Sequence, residues 1–522
     1  MHWAFKMAGQ LIEEHPNAET FVCASGISPS GTVHIGNFRE VVTSYFVVRA
    51  LEMLGKNTRF IFSWDDFDRL RKVPANIDPA HEQYIGMPYS KIPDPNGCHK
   101  SYAAHFETEF ENAVKAFGID AEFIYQNKMY ESGCYHESIL TALNKRKDIY
   151  DITMKFKTGG PCEEDRENYY PVAIYCDACR KDDTNIIAYN QPAESIHYEC
   201  SCGHHSEKAV SDLDLKLNWK IDWPMRWQKE SVMFEPGGRD HSAQTGSYNV
   251  SKEIAKEIFD YKAPAYIAYD FIHIKGSQKK MSSSTGISLT PSDLLNVYSP
   301  ELILFLFAKY QPDSAFHIGL DEDVIRNYTE FERYKRAFLA GTLKDDVIRQ
   351  ALELVLGEAS DREEPSFSQL AGILPLVDFN LHLLQEVLQQ NGEQYTMDQL
   401  KEVSERVEFW IKHYRQENVN VINEAPYQKY FDTLTDKEKA QLHHFADIVR
   451  EGAAQSGEDL MREIYDICSA ENQKQKKQEQ KRLFQIIYQL VLNRNSGPRL
   501  PILIRAAGAE KIVELVTFDT TS

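Results

Sequence analysis

The sequence predicts an α/β domain built on a parallel sheet, carrying a small cysteine-rich insertion and followed by an all-helical domain. Three observations carry that expectation. From residue 18 to about 150, strand-like and helix-like stretches alternate, as parallel βαβ units require. Between about 150 and 212 the composition shifts to cysteine pairs and short β-like runs. Beyond about 325, glycine thins out and Leu, Gln, Glu and Lys recur at helical spacing through to 515. At 522 residues the chain also exceeds what one core organises. The expected domains are therefore 1–325, with the insertion at about 150–212, and 326–522.

The elements follow in order. Phe21-Val22-Cys23-Ala24 reads as a strand ending at Ser25-Gly26, and a Ser/Gly/Pro loop follows it. A periodic helix runs from Phe38 to Leu54 and stops at Gly55. Arg59 to Ser63 is the next strand, which completes the opening of a βαβ unit. Residues 72–99 are rich in Pro and Gly without a period and read as a surface excursion. Ser101 caps a helix running to Phe117, closed by Gly118. Ile139–Ile149 reads as one helix, Val172–Tyr175 and Ile196–Tyr198 as short strands, and Ala265–Tyr269 as a late strand. Segments 369–391 and 481–493 read as long amphipathic helices. No fixed period recurs, which disfavours a solenoid.

Composition bounds the function. With 42% hydrophobic and 11% aromatic residues the chain can bury a large core. Lys plus Arg number 58 against 78 Asp plus Glu, a net charge of −20 that excludes a uniformly basic nucleic-acid coat. No apolar run approaches the roughly 20 residues that cross a bilayer. The opening Met1-His2-Trp3-Ala4-Phe5-Lys6 lacks the apolar region of a secretory leader. Of nine cysteines, five (Cys23, Cys98, Cys134, Cys162, Cys468) are scattered and four lie between 176 and 202. That pattern fits a reducing cytoplasm and one metal site better than a disulfide framework.

Two loops carry the chemistry. Ser25-Gly26-Ile27-Ser28-Pro29-Ser30-Gly31-Thr32-Val33-His34-Ile35-Gly36-Asn37 lies between a strand and a helix. A helix N-terminus at the C-terminal edge of a parallel sheet presents free N–H groups to a phosphate. Gly26, Gly31 and Gly36 let backbone approach a nucleotide, and His34 is placed to donate to a phosphate whose charge grows during attack. The plainer reading of the same residues is a Gly/Ser turn with Asn37 as helix cap. About 245 residues later comes Ser277-Gln278-Lys279-Lys280-Met281-Ser282-Ser283-Ser284-Thr285-Gly286. Its two ammonium groups suit a pyrophosphate that is clamped and then released; the plainer reading is a solvated basic turn.

Together, His34-Ile35-Gly36-Asn37 and Lys280-Met281-Ser282-Ser283-Ser284 resemble the two signature motifs of class I aminoacyl-tRNA synthetases. The stretches 216–227 (Lys-Leu-Asn-Trp-Lys-Ile-Asp-Trp-Pro-Met-Arg-Trp), 234–241 (Phe-Glu-Pro-Gly-Gly-Arg-Asp-His), 63–69 and 497–500 narrow the resemblance to the class I type of lysyl-tRNA synthetase. The resemblance implies a Rossmann-type catalytic domain and ATP-dependent activation of L-lysine to lysyl-adenylate, with Mg²⁺ on the phosphates. Transfer to the 3′ end of tRNA(Lys) follows, and bound tRNA is needed before activation. It implies catalytic roles for His34, Asn37, Lys279 and Lys280, and ATP contacts from Ser30, His34, Gly36, Asn37, Lys280, Met281, Ser282 and Ser283. Asn37 stands where most of the class carries a second histidine, and Ser283 where the commoner loop has a second lysine; both variants match the lysyl subfamily. By the same resemblance lysine is bound by Gly26, Ser28, Trp219, His241 and Tyr269, with Asp65 and Asp240 as possible charge partners. Trp219, Trp223 and Tyr269 have a plainer alternative as core aromatics, and the two aspartates as helix caps. A monomer in the cytoplasm is the oligomeric state and place so implied.

Cys176-x2-Cys179 and Cys200-x-Cys202, 20 residues apart, fit one tetrahedral Zn²⁺. His204 or His205 is an alternative ligand, and a redox Cys-x-x-Cys the weaker rival. The zinc is expected to fold a knuckle that approaches the acceptor end of tRNA. Between 472 and 505 eight Lys/Arg (among them Lys476, Lys477, Arg482 and Arg499) face one acidic residue, Glu479. That concentration suits a phosphate-tracking tRNA face, against a solvated helix surface. Three rivals stand beside the lysyl reading: a glutamyl- or cysteinyl-type enzyme, a small-molecule nucleotidylyltransferase, and a catalytically silent tRNA-binding paralogue. Trp219 and Asp240-His241 argue against the first, the helical tail and zinc module against the second, His34 and Lys280 against the third.

Overall fold

The structure is a computed structural model that describes residues 1–157, 160–243, 245–270, 272–275, 289–357, 364–415, 420–452, 455–469 and 472–518. The chain divides into two compact units. The first comprises Met1–Leu294, Ser299–Gly319 and Ala340–Glu358, and the second comprises Leu295–Tyr298, Leu320–Leu339 and Ala359–Ser522. The chain thus passes between the units more than once around residue 325, where the sequence suggested a single boundary.

The first unit opens with helix α1 (Trp3–Glu14), then strand β1 (Thr20–Ile27), helix α2 (Ile35–Met53) and strand β2 (Asn57–Trp64). Helix α3 (Tyr102–Ala116) and strand β3 (Glu122–Tyr125) follow. The three strands are parallel in the order β1-β2-β3. On the other side of β1 the sheet continues through bridges Cys23–Phe234 and Phe234–Ala265, both parallel. The chain therefore runs outward from β1 in both directions, and the loop after β1 lies at the point where the strand order reverses. That crevice, beyond the carboxyl ends of the strands, is where open α/β sheets bind ligands.

Local sequence explains these elements. Helix α2 buries Phe38, Val41, Val42, Phe46 and Val47, and Gly55 closes it at φ +74°. Arg39 is buried in the same helix, where its guanidinium donates to the carbonyls of Asp270, Gln311 and Ser314 at 2.8–2.9 Å and pins the late segments to α2. Ser101 caps α3, accepting from Ala104 N–H at 3.1 Å, and Gly118 ends it at φ +70°. The Pro/Gly-rich excursion contains two 3-10 turns, Pro79–Tyr84 and Tyr89–Lys91. It also holds a small core in which Leu70, Ile77, Tyr89 and Ile92 pack on Tyr102 and Phe106. The expected helix at 139–149 is two, His136–Asn144 and Arg146–Met154, turning at Lys145. The late strand shrinks to Ala268–Tyr269, with Ala265 an isolated bridge.

The inserted module pairs β4 (Val172–Ile174) with β8 (Leu215–Leu217) around an antiparallel sheet of β5 (Thr184–Asn190), β6 (Ser195–Cys200) and β7 (His205–Ala209). In the second unit the described elements are helices. Gln473–Leu492 forms one long helix, as its spacing implied. The expected 369–391 helix is broken instead into Phe367–Ile373 and Leu381–Gln390. Pro375 cannot continue the hydrogen-bond ladder, Asp378 and Phe379 take φ of +50° and +56°, and Asn380 starts a new helix as its cap. Among the described residues no single helix is long and apolar enough to cross a membrane.

Candidate active site

Helix α2 starts on a histidine. His34 is its N-cap, and its Nδ1 accepts from Gly36 N–H at 3.1 Å. A nitrogen that accepts carries no proton, so the neutral ring holds its proton on Nε2 as a donor. The cap is thus His34 and not Asn37, which sits half-buried in the first helical turn. Ile35 N–H donates to Leu289 O at 2.8 Å, so a residue three positions beyond the second signature loop lies against the N-terminus of α2. Lys279, Lys280, Met281, Ser282 and Ser283 lie outside the described residues. Ser30 stands in the first loop, and its carbonyl accepts from Tyr102 O–H at 2.9 Å.

A second cluster lies beside it. Gly26 pairs with Ser63 across β1 and β2, and a Cβ there would come within 3.0 Å of Ser63 O. Its N–H donates to Glu40 Oε1 at 2.9 Å, and Tyr269 O–H donates to Glu40 Oε2 at 2.7 Å. Among the described residues no ion pair reaches this carboxylate. Burial pushes the Glu40 pKa up to about 8, against the pull of the Gly26 and Tyr269 hydrogen bonds. The sequence reading missed Glu40. The signal was there: one acid within the apolar face of a helix that begins at the signature histidine.

Spacing builds the third wall. In the helix Trp219–Glu230, indoles at 219, 223 and 227 recur every fourth residue and share a face. Trp219 stacks on Trp223 with centroids 5.0 Å apart, and Trp223 lies 4.9 Å from Trp227. Pro224 deprives the Lys220 carbonyl of its helical partner, and Ser251 Oγ supplies a donor instead at 3.0 Å. Trp223 and Trp227 both donate through Nε1 to Glu235, at 2.9 and 2.5 Å. Burial lifts the Glu235 pKa to about 7 despite these bonds.

The other face of that helix carries charge. Arg226 is buried and pairs with Asp65 and Asp222; Lys216, also buried, pairs with Asp68 and Asp222. Three aspartates against two cations leave one net negative charge within this network. A small pocket lies over it, lined among others by Gly26, Ser25, Asp65, Trp219, Trp223 and Glu235. Ser25 Oγ is buried there with no hydrogen-bond partner among the described residues. Of the expected lysine-binding residues, Gly26 and Tyr269 therefore meet on Glu40, and Trp219 walls the cavity. His241 reaches Trp223 at 6.0 Å between centroids. Ser28 Oγ lies 3.4 Å from Asp68. Asp65 is held by Arg226, and Asp240 is exposed on a 3-10 turn.

In the inserted module four thiols converge. Cys176 and Cys179 follow β4, while Cys200 ends β6 and Cys202 lies in the turn after it. Cys176 Sγ is 3.7 Å from Cys202 Sγ, and Cys179 Sγ 3.6 Å from Cys200 Sγ. A tetrahedral Zn–S site with bonds near 2.3 Å has S–S edges of about 3.8 Å, whereas a disulfide would bring sulfurs to about 2 Å. Arg180 and Gly203, at φ +62° and +89°, turn the chain back after each pair, which makes room for the one-residue gap of the second. His204 lies near Asp177 at 3.8 Å, outside the thiol cluster.

In the second unit Lys476 pairs with Asp466 and Arg482 with Glu438. Lys477 and Arg499 are exposed.

A histidine-capped helix at the reversal point of a parallel sheet, beside an indole-walled pocket that Asp65 and Glu235 also line, has the form of a nucleotide-handling α/β protein. Residues 1–356 match the family described as tRNA synthetases class I (K), and the chain belongs to that family. It is 33% identical to a lysine–tRNA ligase of Pyrococcus horikoshii, across 99% of this chain and 100% of that one. Lysine–tRNA ligases of Treponema pallidum (32%, covering 99% and 98%) and Borrelia garinii (34%, covering 99% of each) are similarly related.

Proposed function

We propose that this chain is a lysine–tRNA ligase of class I, and that its lysine site lies between the Glu40–Tyr269 pair and the adjoining pocket walled by Trp219 and Trp223. The observation that carries this reading is the Glu40 carboxylate, which accepts from Gly26 N–H and Tyr269 O–H with no ion pair among the described residues, Gly26 also lining the indole-walled pocket. A desolvated carboxylate of this kind selects an ammonium at the end of an apolar stem, and the indole faces accept both stem and charge. A glutamate side chain would bring a second negative charge to a region that is already net negative.

The reaction needs no enzyme nucleophile. The lysine carboxylate oxygen attacks the α-phosphorus of ATP; an O–P bond forms as the bond to the bridging oxygen breaks, and pyrophosphate leaves with the electron pair. The ribose hydroxyl at the tRNA 3′ end then attacks the adenylate carbonyl and displaces AMP. Catalysis is positioning and charge stabilisation. His34 Nε2–H and the α2 N-terminus face the phosphates, with Ser30, Gly36 and Asn37 lining the nucleotide. Lys279, Lys280, Met281, Ser282 and Ser283 complete the clamp on the leaving group. Mg²⁺ bound to ATP would supply charge neutralisation at its phosphates.

Cys176, Cys179, Cys200 and Cys202 hold a structural zinc, supported by their S–S spacings. A Cys176→Ser variant should lose one zinc equivalent per chain by elemental analysis. It should also become sensitive to proteolysis within 176–209, because a structural zinc contributes folding energy outright. The tRNA approaches the helical unit through Lys477 and Arg499, in a cytoplasmic setting that keeps the thiols reduced. Replacing both with Ala should raise the tRNA KM several-fold and flatten the salt dependence of binding by roughly one per charge removed. Unchanged KM and salt slope would move the contact elsewhere.

The deciding experiment charges total tRNA with labelled lysine, glutamate, cysteine or arginine in the presence of ATP and Mg²⁺, with tRNA present from the start. Charging with lysine alone is expected. Charging with another of the four would overturn the pocket, and no charging with tRNA bound would leave a tRNA-binding paralogue.

A further inference from the structure

Three carbonyl groups from two distant segments converge on one buried cation. Arg39, 2% exposed, lies in α2 immediately before Glu40. Its Nη1 donates to Asp270 O at 2.8 Å, and its Nη2 donates to Gln311 O at 2.9 Å and Ser314 O at 2.8 Å. The guanidinium carbon also stands 5.2 Å from the centroid of the Phe316 ring. The two segments are joined to each other as well. Asp270 N–H donates to Pro312 O at 2.8 Å, and Ser314 N–H to Gln311 O at 3.1 Å. Arg39 therefore closes a small circuit in which α2, the turn 311–314 and Asp270 hold one another.

A tie between helix and sheet explains only part of this. Apolar side chains would join the same layers without the cost of taking a guanidinium out of water. What the guanidinium adds is position, because its planar fork reaches two segments at once in one geometry. The segment so fixed has little length with which to fix itself. The strand Ala268–Tyr269 is two residues long and pairs with Gly237–Gly238, which bring no side chains to set the register. Tyr269 ends that strand, and Asp270, the residue that Arg39 holds, comes next.

The clamp and the Glu40–Tyr269 pair are sequence neighbours on both sides. Arg39 precedes Glu40 on the helix, and Asp270 follows Tyr269 on the opposing segment. Next to the Arg39–Asp270 bond, Tyr269 O–H reaches Glu40 Oε2 at 2.7 Å. We infer that Arg39 is a positioning residue of the amino-acid site: it fixes Asp270 against α2 and so sets the separation at which Tyr269 meets the Glu40 carboxylate. Its consequence for the substrate rests on the reading of Glu40 and Tyr269 as the lysine site, whereas the clamp rests on the hydrogen bonds alone. A lysine at this position would offer one ammonium in place of the fork, and could not span both segments.

The test uses the full-length enzyme. Arg39→Lys keeps the charge and loses the fork, and should raise the KM for lysine about tenfold, the scale of one hydrogen bond to a charged group. The KM for ATP should stay within about twofold. Tyr269→Phe should have the same effect, because it removes the donor that Arg39 places. Two changes that act through one contact do not add, so the double variant should be no worse than the poorer single one. Hydrogen exchange at amides 265–270 should quicken in Arg39→Lys and stay as in the wild type in Tyr269→Phe. If Arg39→Lys does not fold, Phe316→Leu, which removes the ring beside the guanidinium, should shift exchange and the KM for lysine the same way by about two- to threefold. An unchanged KM for lysine beside faster exchange would make Arg39 a structural tie and overturn the inference, as would multiplied effects in the double variant. Unchanged exchange would overturn the clamp itself. Full protection at 265–270 in a wild-type enzyme that charges no tRNA with lysine would strike the functional reading alone.

Discussion

Glu40→Gln is expected to cut kcat/KM for lysine by about 10²- to 10³-fold, with the KM for ATP little changed. The amide keeps the shape and still accepts from Gly26 N–H or Tyr269 O–H, so folding is preserved. What it removes is the charge opposite the ε-ammonium, and leaving a buried charge unpaired costs about 3–5 kcal/mol. Lysine titration by calorimetry separates this from a general loss of activity. If Glu40→Gln binds lysine as the wild type does, Glu40 is a structural acid and the ammonium is held elsewhere, with Glu235 the next candidate.

The same carboxyl makes a pH prediction. In the empty folded enzyme burial lifts its pKa from 4.5 to about 8. The native state therefore keeps a proton that the unfolded chain releases above pH 4.5, and the stability of the empty enzyme declines as pH rises from there to 8. An ammonium reverses the preference, so lysine binding at pH 7 should expel close to one proton. Its affinity should climb up to tenfold per unit between pH 6 and 8, then level off. Calorimetry in buffers of different ionisation enthalpy counts that proton, and in Glu40→Gln the count should fall to near zero. A slope that persists in the variant would assign the titration to Glu235, whose pKa is about 7.

How much of this was legible in the chain differs by element. The β1-α2-β2 unit was, because its signals are local: an apolar run, a 3.6-residue period, and Gly55 at positive φ. The thiol quartet was legible because its spacing lies within short loops. The break at 378–379 was not, since the apolar period runs on across it and Pro375 is a weak local signal against it. Glu40 was missed because helical spacing alone cannot say which apolar-face acid meets a ligand; its partners Gly26 and Tyr269 lie 14 and 229 residues away. Asp65 looked like a charge partner for substrate until the fold brought Arg226, 161 residues on, against it. Pattern reads neighbours along the chain, and a site is made of neighbours across it.

The second large effect is expected at His34, where His34→Ala should lower kcat about 10²- to 10³-fold with the KM for lysine nearly unchanged. Removing one preorganised donor from a charge that develops in the transition state costs about 3 kcal/mol. The substitution also deletes the α2 cap, since Nδ1 accepts from Gly36 N–H at 3.1 Å, and cap loss costs about 1 kcal/mol of stability. The two roles separate in His34→Asn. An asparagine oxygen can restore the cap, yet its short amide does not reach where imidazole Nε2 donates. His34→Asn should therefore recover the melting temperature lost in His34→Ala while staying as slow. Recovery of rate together with stability would mean that His34 acts only by starting the helix, and the phosphate-facing donor would have to be sought in the N–H groups of Gly36 and Asn37.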